Sequence, residues 1–306
     1  MKIFAARAAA LFSFPLFRAT VGFAAVLSAC APARPSVPPY GQSGALTIPP
    51  VTYPGFTLVW SDEFNRDGEP DKANWTFELG FVRNRELQWY RSENAKVTDG
   101  VLVIEGRRER VPNPQFDAST SDWKRNREFA DYTSASLMTK GLHSWRYGRF
   151  EMRGRIDTRP GLWPAFWTLG VSGTWPHNGE IDIMEYYRGT LLANVAWGGA
   201  ERYQAIWADS RKPITSFNGP AWSRDFHVWR MDWDEGAIAL FVDGQPLNKV
   251  DLTHTVNQDG SGTNPFRQPH YVLVNLAIGG TQGGDPSLTA FPARLEVDYV
   301  RIYQAR

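Results

Sequence analysis

Three carboxylates within six residues place the strongest constraint on how this chain folds. In the segment 180–185 (Glu-Ile-Asp-Ile-Met-Glu), Glu180 and Asp182 alternate with two isoleucines. A period of two is that of a β-strand, with both acids on one face and both isoleucines on the other. The third acid, Glu185, comes one residue late because Met occupies position 184. A β-bulge, which inserts one extra residue into a strand, would return Glu185 to the acidic face.

Such a row of acids predicts catalysis rather than a structural role. Neighbouring carboxylates repel one another and cost stability. Two carboxyl groups held across a bond, with a third tuning their protonation, suit acid–base chemistry on a glycosidic linkage. Retention of configuration needs the two groups about 5–5.5 Å apart, against about 6.5–9.5 Å for inversion. Same-face positions on a curved, bulged strand can reach the shorter distance.

The composition limits the class of protein. The chain has 306 residues, and an all-β sandwich often reaches about 200–250 residues as one domain. A net charge of +1 gives no electrostatic basis for binding nucleic acid, so we expect no such partner. The 13 Trp, 11 Tyr and 18 Phe are the unusual feature. These rings either line a groove that stacks on sugars or pack in the core of an all-β fold.

The N-terminal segment is typical of export rather than of a folded element. Lys2, Arg7 and Arg18 precede or flank a short apolar run at 19–27, and the only cysteine is Cys30. The string Leu-Ser-Ala-Cys that ends at this cysteine resembles a bacterial lipoprotein box. That resemblance implies cleavage before Cys30 and attachment of a diacylglyceryl group to its sulfur. An ordinary signal peptide with a chance cysteine is the alternative.

The chain is therefore predicted to have three parts. A lipoprotein signal peptide spans 1–29, the lipidated Cys30 begins a Pro/Ser/Gly-rich tether at 30–50, and one catalytic domain spans 51–306. The tether composition suits an extended linker without a core. The protein would be exported and held at the bacterial cell envelope by its lipid alone. The outer membrane is the expected location, since Ala rather than Asp follows the cysteine.

Short β-rich segments separated by turns fill the predicted domain. Strands are expected at 101–104, 149–156, 228–233, 237–242, 271–278 and 295–303, with Asp-Gly turns at 99–100 and 243–244. No stretch has a sustained helical period with caps. We predict an all-β jelly-roll sandwich of two antiparallel sheets, one of which curves into a concave substrate cleft.

The acidic segment and its surroundings resemble glycoside hydrolase family 16. The resemblance covers essentially residues 55–304 and rests on the segments 60–64, 84–90, 147–151, 163–170, 175–176, 180–185, 275–280 and 297–301. The bulged motif resembles that of laminarinase-like β-glucanases and of the related agarases and carrageenases, whereas lichenases have the unbulged form. The resemblance implies an endo-acting, retaining hydrolase of β-1,3- or mixed β-1,3/1,4-glucan. It also implies that the chemistry requires no cofactor.

The same resemblance implies a role for each acid. Glu180 would be the nucleophile that forms the glycosyl-enzyme. Glu185 would be the acid that protonates the leaving oxygen and then the base that activates water. Asp182 would hydrogen-bond the nucleophile, and its negative charge would help to keep Glu185 protonated.

Several further residues are candidates for substrate binding. They are Trp163, Trp175, Asn84, Glu86, Tyr90 and Arg153. Trp175 matches a ring beside the cleaved sugar, and Asn84, Glu86 and Tyr90 match the edge of the non-reducing side of the cleft. Trp163 and Trp167 share one side of a strand, where cleft and core are both possible. Glu86 could instead belong to a solvated loop, and Arg149, Arg153 and Arg155 share a face from which one could reach the sugar.

The family often carries a structural calcium ion on its convex face. The matching ligands are Glu63, the backbone carbonyl of Gly100 and Asp298, with water completing the shell. Oxygen ligands from distant segments suit a hard cation that ties the chain ends together. The five histidines have no spacing of a metal site.

Four functions stay open from the sequence. A β-glucan hydrolase is favoured over a β-galactan hydrolase of the agar or porphyran type, a transglycosylase and a non-catalytic glycan-binding lipoprotein. The segment 194–199 differs from the His-containing strand of many laminarinases, so the exact glycan stays open. The near-neutral charge argues against a sulfated galactan. The expected partner is a β-glucan polysaccharide or oligosaccharide, and the protein is expected to be a monomer.

Overall fold

A computed structural model describes residues 49–217 and 219–306. These residues belong to one compact unit. The predicted signal peptide at 1–29, the lipidation of Cys30 and nearly all of the tether at 30–50 lie outside the described residues. Those three features stay predictions.

The described residues form twenty strands and only short helical turns. In chain order the strands are β1 (Phe56–Asp62), β2 (Thr76–Phe77), β3 (Gln88–Tyr90), β4 (Ala95–Thr98), β5 (Val101–Gly106), β6 (Val111–Pro112), β7 (Phe129–Ala130), β8 (Tyr132–Ser134), β9 (Ser136–Met138), β10 (Gly148–Ile156), β11 (Leu162–Gly170), β12 (Glu180–Tyr187), β13 (Thr190–Gly198), β14 (Ala205–Ala208), β15 (Arg211–Pro213), β16 (His227–Trp233), β17 (Ala237–Val242), β18 (Gln245–Asp251), β19 (His270–Ile278) and β20 (Ala293–Ala305). The 3₁₀ turns are Ser92–Asn94, Ile214–Phe217, Gly219–Arg224, Leu252–His254 and Pro265–Arg267, and the one α-helical turn is α1 (Gly280–Gly283). Within this part of the chain, no helix is long and apolar enough to cross a membrane.

Two eight-stranded sheets make up most of the fold. The first has the order β18-β17-β16-β10-β20-β5-β4, with β1 also paired to β20. The second has the order β14-β13-β12-β11-β19-β9-β2, with β15 also paired to β13. The neighbours are antiparallel, and strands distant in sequence lie side by side, as β10 does with β20. This confirms the predicted all-β sandwich of two antiparallel sheets.

Hairpin turns form where the sequence has Asp-Gly pairs. Asp99 and Gly100, with φ of 52° and 73°, connect β4 to β5. Asp243 and Gly244, with φ of 49° and 76°, connect β17 to β18. Two successive residues of positive φ make the tight hairpin turn whose twist matches that of the flanking strands. The predicted turns are therefore confirmed.

The hydrophobic core lies between the inward faces of the two sheets. Phe150 and Met152 of β10 contribute from the first sheet and are completely buried. Ile181 and Ile183 of β12 contribute from the second and are also completely buried. The isoleucines that alternate with the acids thus hold β12 against the core.

Strand β12 contains the bulge that the acidic spacing predicted. On the β13 side, Asp182 pairs with Asn194 and Glu185 pairs with Leu192, so β12 has one residue more than β13 over this interval. The two intervening residues, at 183–184, are both completely buried in the core. Because two consecutive side chains point inward, Glu185 returns to the face of Asp182.

The buried position at the bulge can be tested by truncation. Ile183→Ala is expected to lower the free energy of unfolding by about 2–5 kcal/mol, since it leaves a cavity in a close-packed core. Val59→Ala on β1 is the matched control, because Val59 is 45% exposed. Its effect should stay within about 0.5 kcal/mol. Urea denaturation of both variants measures the difference, and equal losses would contradict the inward orientation of residue 183.

Candidate active site

The outward face of the second sheet forms the floor of a cleft of about 790 Å³. Alternate residues of β11, β12, β13 and β19 line the floor, and loops form the rims. Glu180, Asp182 and Glu185 all line this cleft. The predicted strand period and bulge therefore bring the three acids together on one concave surface.

An indole donates a hydrogen bond to each of the two outer acids. The Nε1 of Trp175 donates to Oε2 of Glu180 over 2.8 Å. The Nε1 of Trp163 donates to Oε1 of Glu185 over 2.6 Å. Trp163 is buried in the floor, whereas Trp175 is partly exposed at the rim. These bonds orient both carboxyl groups and favour their charged forms.

Removal from water raises the pKa of the two outer acids by different amounts. It raises the pKa of Glu180 to about 7, opposed by the hydrogen bond from Trp175 and by the positive charge of Arg83. It raises the pKa of Glu185 to about 8, and the negative charge of Glu180 adds to this rise. As the pH rises, Glu180 therefore loses its proton before Glu185 does. A carboxylate beside a carboxylic acid is the pair that nucleophilic attack with proton donation requires.

Asp182 lies between the two outer acids, and its pKa is also shifted upward. Burial raises the pKa of Asp182 well above its usual range, and the charges of Glu180 and Glu185 raise it further. A hydrogen bond between Asp182 and Glu180 raises the pKa of the former and lowers that of the latter. These shifts favour the charge on Glu180 over a charge on Asp182. The expected role of Asp182 stays a prediction.

Arg83 is a cleft residue that sequence patterns did not reveal. Its guanidinium lies 5.0 Å from the ring of Trp167 and forms an ion pair with Glu78. Its positive charge lowers the pKa of Glu180. A single arginine in a loop has no periodic signal, and its contact with β11 exists only in the folded chain.

The predicted contacts near residue 84 occupy three different environments. Asn84 is exposed at the cleft rim. Glu86 lines the cleft but is buried, and its carboxylate accepts hydrogen bonds from Gln88 over 2.7 Å and from Asn84 over 3.3 Å. Tyr90 is completely buried, and its hydroxyl accepts from Asn275 over 3.1 Å. Glu86 is thus not in a solvated loop, and Tyr90 supports the floor instead of facing the substrate.

Arg153 lies on the other sheet, away from the cleft. It belongs to β10, where it alternates with core residues such as Met152. Its Nη1 donates to Oδ2 of Asp298 over 2.7 Å, and its guanidinium lies 4.6 Å from the ring of Phe226. This corrects the expectation that Arg153 contacts the substrate.

Both predicted carboxylate ligands of calcium pair with arginines in this structure. The carboxylate of Asp298 pairs with an arginine, and that of Glu63 accepts two hydrogen bonds from Arg301, of 2.9 and 2.7 Å. Gly100 lies in a hairpin turn. Across residues 49–217 and 219–306, no group of three or more His, Cys, Asp or Glu residues could hold a metal ion. Calcium binding by the predicted set of two carboxylates, a backbone carbonyl and water stays a prediction.

The cleft residues contributed by β14, β15 and the loop before them were not among the predicted substrate contacts. Trp207 of β14 and Arg211 of β15 line it, together with Tyr203 from the preceding loop. These two strands are short edge strands that pair only with β13 in this part of the chain. Their sequences have no distinctive period, which is why they gave no signal.

The sequence profile of one protein family matches most of the described chain. The sequence profile of glycosyl hydrolases family 16 matches residues 86–301. A β-glucanase of Rhodothermus marinus is 38% identical over 266 residues, which cover 82% of this chain and 86% of that protein.

Solved structures of similar sequence share the fold. The catalytic domain of an endo-1,3-β-glucanase (laminarinase) from Thermotoga petrophila aligns with a TM-score of 0.68 and 32% identity, over 82% of this chain and 98% of that one. A structure from work on endo-acting O-glycanases, which members of the human gut microbiota express to initiate mucin breakdown, aligns with a TM-score of 0.76 and 35% identity. That alignment covers 84% of this chain and 94% of the other.

The electrostatic role of Arg83 predicts a change in pH dependence. Its positive charge favours the carboxylate of Glu180, so Arg83→Gln should raise the pKa of that group. The acid limb of kcat/KM for glycan cleavage should then move to higher pH, while Arg83→Lys should move it less. Arg85→Gln, at an exposed position outside the cleft, is the control. An unshifted acid limb in Arg83→Gln would show that this charge does not act on Glu180.

Proposed function

The chain belongs to glycosyl hydrolase family 16, and from this premise we propose that Glu180, Asp182 and Glu185 cleave a glycan with retention of configuration. The protein is an endo-acting glycosidase of β-1,3- or mixed β-1,3/1,4-glucans. One observation carries the assignment of residues. The cleft holds two acids that are each oriented by an indole, and a third acid between them forms a hydrogen bond with Glu180.

The first step forms a covalent intermediate. The carboxylate of Glu180 attacks the anomeric carbon, and Glu185 gives its proton to the glycosidic oxygen. The bond between the anomeric carbon and that oxygen breaks as the bond to Glu180 forms, and the leaving sugar departs with the proton. Asp182 donates a hydrogen bond to the nucleophile, and Trp163 holds the acid in place.

The second step releases the product and restores the enzyme. Glu185, now a carboxylate, takes a proton from a water molecule, and the resulting hydroxide attacks the anomeric carbon. The bond to Glu180 breaks, and its carboxylate is regenerated. Because Glu180 is then charged, the pKa of Glu185 rises again and the acid keeps the proton that it received.

The position of the catalytic strand supports cleavage within a chain. β12 lies in the middle of the second sheet, between β13 and β14 on one side and β11 and β19 on the other. Lining residues extend across both sides, from Trp207 of β14 to Asn275 of β19. A glycan that crosses the strands therefore has sugars on both sides of the cleaved bond.

Cleavage of glucans by these acids predicts clear kinetic results. Laminarin and barley β-glucan should yield oligosaccharides with new reducing ends. Glu180→Gln should lower kcat about 10⁴-fold or more, since it removes the nucleophile. Glu185→Ala should lose about 10²–10⁴-fold on polysaccharide. On an aryl glycoside, azide should restore part of the activity of Glu185→Ala because it attacks the intermediate without a base.

The comparison substrates and a control complete this experiment. Agarose, porphyran and mucin O-glycans should be poor substrates. Glu93→Gln, at an exposed site outside the cleft, should retain full activity. Products from any of these glycans, without products from either glucan, would contradict the proposed substrate. Full activity in Glu180→Gln would contradict the assignment of the nucleophile.

We further propose that Cys30 carries a lipid anchor and that the protein is exported to the outer membrane. The support is the string Leu-Ser-Ala-Cys after a positively charged, apolar leader. Two acyl chains on one cysteine are enough for stable membrane attachment. The tether at 30–50 would then separate the anchor from the catalytic domain.

The anchor is tested in the full chain. Expressed in a Gram-negative host, the protein should incorporate labelled palmitate and sediment with outer membranes. Cys30→Ser should remain unlabelled and leave the membrane fraction while its glucanase activity is retained. Labelling that persists in Cys30→Ser, or an unlabelled parent protein, would contradict the proposal.

A further inference from the structure

The loop at 171–179, which we call the rim loop, connects β11 to β12 and carries Trp175. Its residues 171–175 are exposed, and yet the Nε1 of Trp175 lies 2.8 Å from Oε2 of Glu180. An exposed loop gains little from apolar packing, so polar contacts have to hold it where the indole reaches the acid. The bond between Trp175 and Glu180 therefore depends on what fixes the rim loop.

Gln268, which lies outside the rim loop, binds it on both sides of Trp175. The Oε1 of Gln268 accepts a hydrogen bond from N of Ser172 over 2.9 Å. Its Nε2 donates to O of Ser172 and to O of Asn178, both over 3.1 Å. A primary amide has an acceptor oxygen and two N–H donors, so one orientation of the side chain makes all three bonds. Because Ser172 precedes Trp175 and Asn178 follows it, the amide joins the two arms of the loop.

Gly170, at the end of β11, leaves room for this contact. A Cβ atom at position 170 would overlap the carbonyl oxygen of Asn178 and the Nε2 of Gln268. The side chain of Asn178 adds a second link, since its Nδ2 donates to O of Gly170 over 3.1 Å. The end of β11, the rim loop and Gln268 therefore pack against one another with no space for another side chain.

Buried neighbours on both sides fix the backbone of Gln268. The 3₁₀ turn Pro265–Arg267 precedes it, and Phe266 of this turn is completely buried in the core. His270 follows at the start of β19 and is also completely buried, with its Nε2 3.1 Å from O of Pro265. The side chain of Gln268 is thus a support that extends from anchored backbone to an exposed loop.

Gln268 does not line the cleft, in contrast to Trp175 and Glu180. An effect of Gln268 on the reaction therefore has to pass through the rim loop. We propose that Gln268 is a positioning residue, which holds the rim loop so that the indole of Trp175 stays within hydrogen-bond distance of Glu180. This inference rests on the proposed function, in which Glu180 is the nucleophile.

Loss of this support has a defined electrostatic consequence. The hydrogen bond from Trp175 lowers the pKa of Glu180. When the loop no longer holds the indole in place, that pKa rises, and the carboxylate that attacks the sugar forms only at higher pH. A contact that served stability alone would change the unfolding temperature and leave the pH dependence of cleavage as it was.

The pH profile of laminarin cleavage tests this role. In Gln268→Ala, the acid limb of kcat/KM should move to higher pH by about half a unit to one unit, as expected when one hydrogen bond to a charged group weakens. The nearly isosteric Gln268→Met should show the same shift, and it serves as the test if circular dichroism shows that Gln268→Ala does not fold. Trp175→Phe, which lacks the indole N–H, should move the limb at least as far. Adding Gln268→Ala to Trp175→Phe should shift it no further.

A second glutamine provides the matched control. The Nε2 of Gln304, on β20 of the first sheet, donates to O of Arg146 over 3.0 Å and to O of Tyr147 over 3.2 Å. It makes the same kind of contact outside the cleft. Gln304→Ala should therefore leave the acid limb in place, even where it lowers the unfolding temperature.

The outcomes separate this inference from the proposed function. An unshifted acid limb in the folded Gln268 variant would overturn the inference while laminarin is still cleaved. A further shift from Gln268→Ala in the Trp175→Phe background, or an equal shift in Gln304→Ala, would overturn it as well. A parent enzyme that cleaves neither laminarin nor barley β-glucan, or full activity in Glu180→Gln, would overturn the proposed function and this inference with it.

Discussion

The bulge in β12 is the constraint on which the rest of the site depends. It turns two consecutive residues, Ile183 and Met184, into the core and returns Glu185 to the face that holds Glu180 and Asp182. Without the extra residue, a strict period of two would send Glu185 into the apolar interior. The same packing that stabilises the sandwich therefore sets the spacing of the carboxyl groups, and the acids cannot shift without disturbing the core.

The acids act as one electrostatic unit because the protein removes all three from water. Burial alone would favour three neutral groups, which could not attack a sugar. The balance is changed selectively at Glu180, where hydrogen bonds from an indole and Asp182 and a nearby guanidinium all lower the pKa. Glu185 receives one indole bond, but the charge of Glu180 raises its pKa further, to about 8. Two chemically identical side chains thus acquire different pKa values from their surroundings, as the proposed division into nucleophile and acid requires.

Local patterns in the sequence predicted the features that depend on neighbours along the chain. The alternation in 180–185, the Asp-Gly turns and the β-rich segments depend only on neighbouring residues, and all of them are present in the structure. The errors came from partners that are distant in sequence. Arg153 alternates correctly on its strand, but its partner Asp298 lies 145 positions away, on the neighbouring strand β20 of the first sheet. Alternation shows which residues share a face, and it does not show what that face meets.

The two ends of the cleft are built in different ways. At one end, Arg83 and Glu86 are tied into ionic and hydrogen-bond contacts, and the charge of Arg83 lowers the pKa of Glu180. At the other end, Trp207 stands on an edge strand that pairs only with β13 among the described strands, two strands from the acids. A substitution on such an edge strand leaves the packing of β12 unchanged. The two ends of the cleft therefore differ in how closely they are coupled to the charge state of the acids.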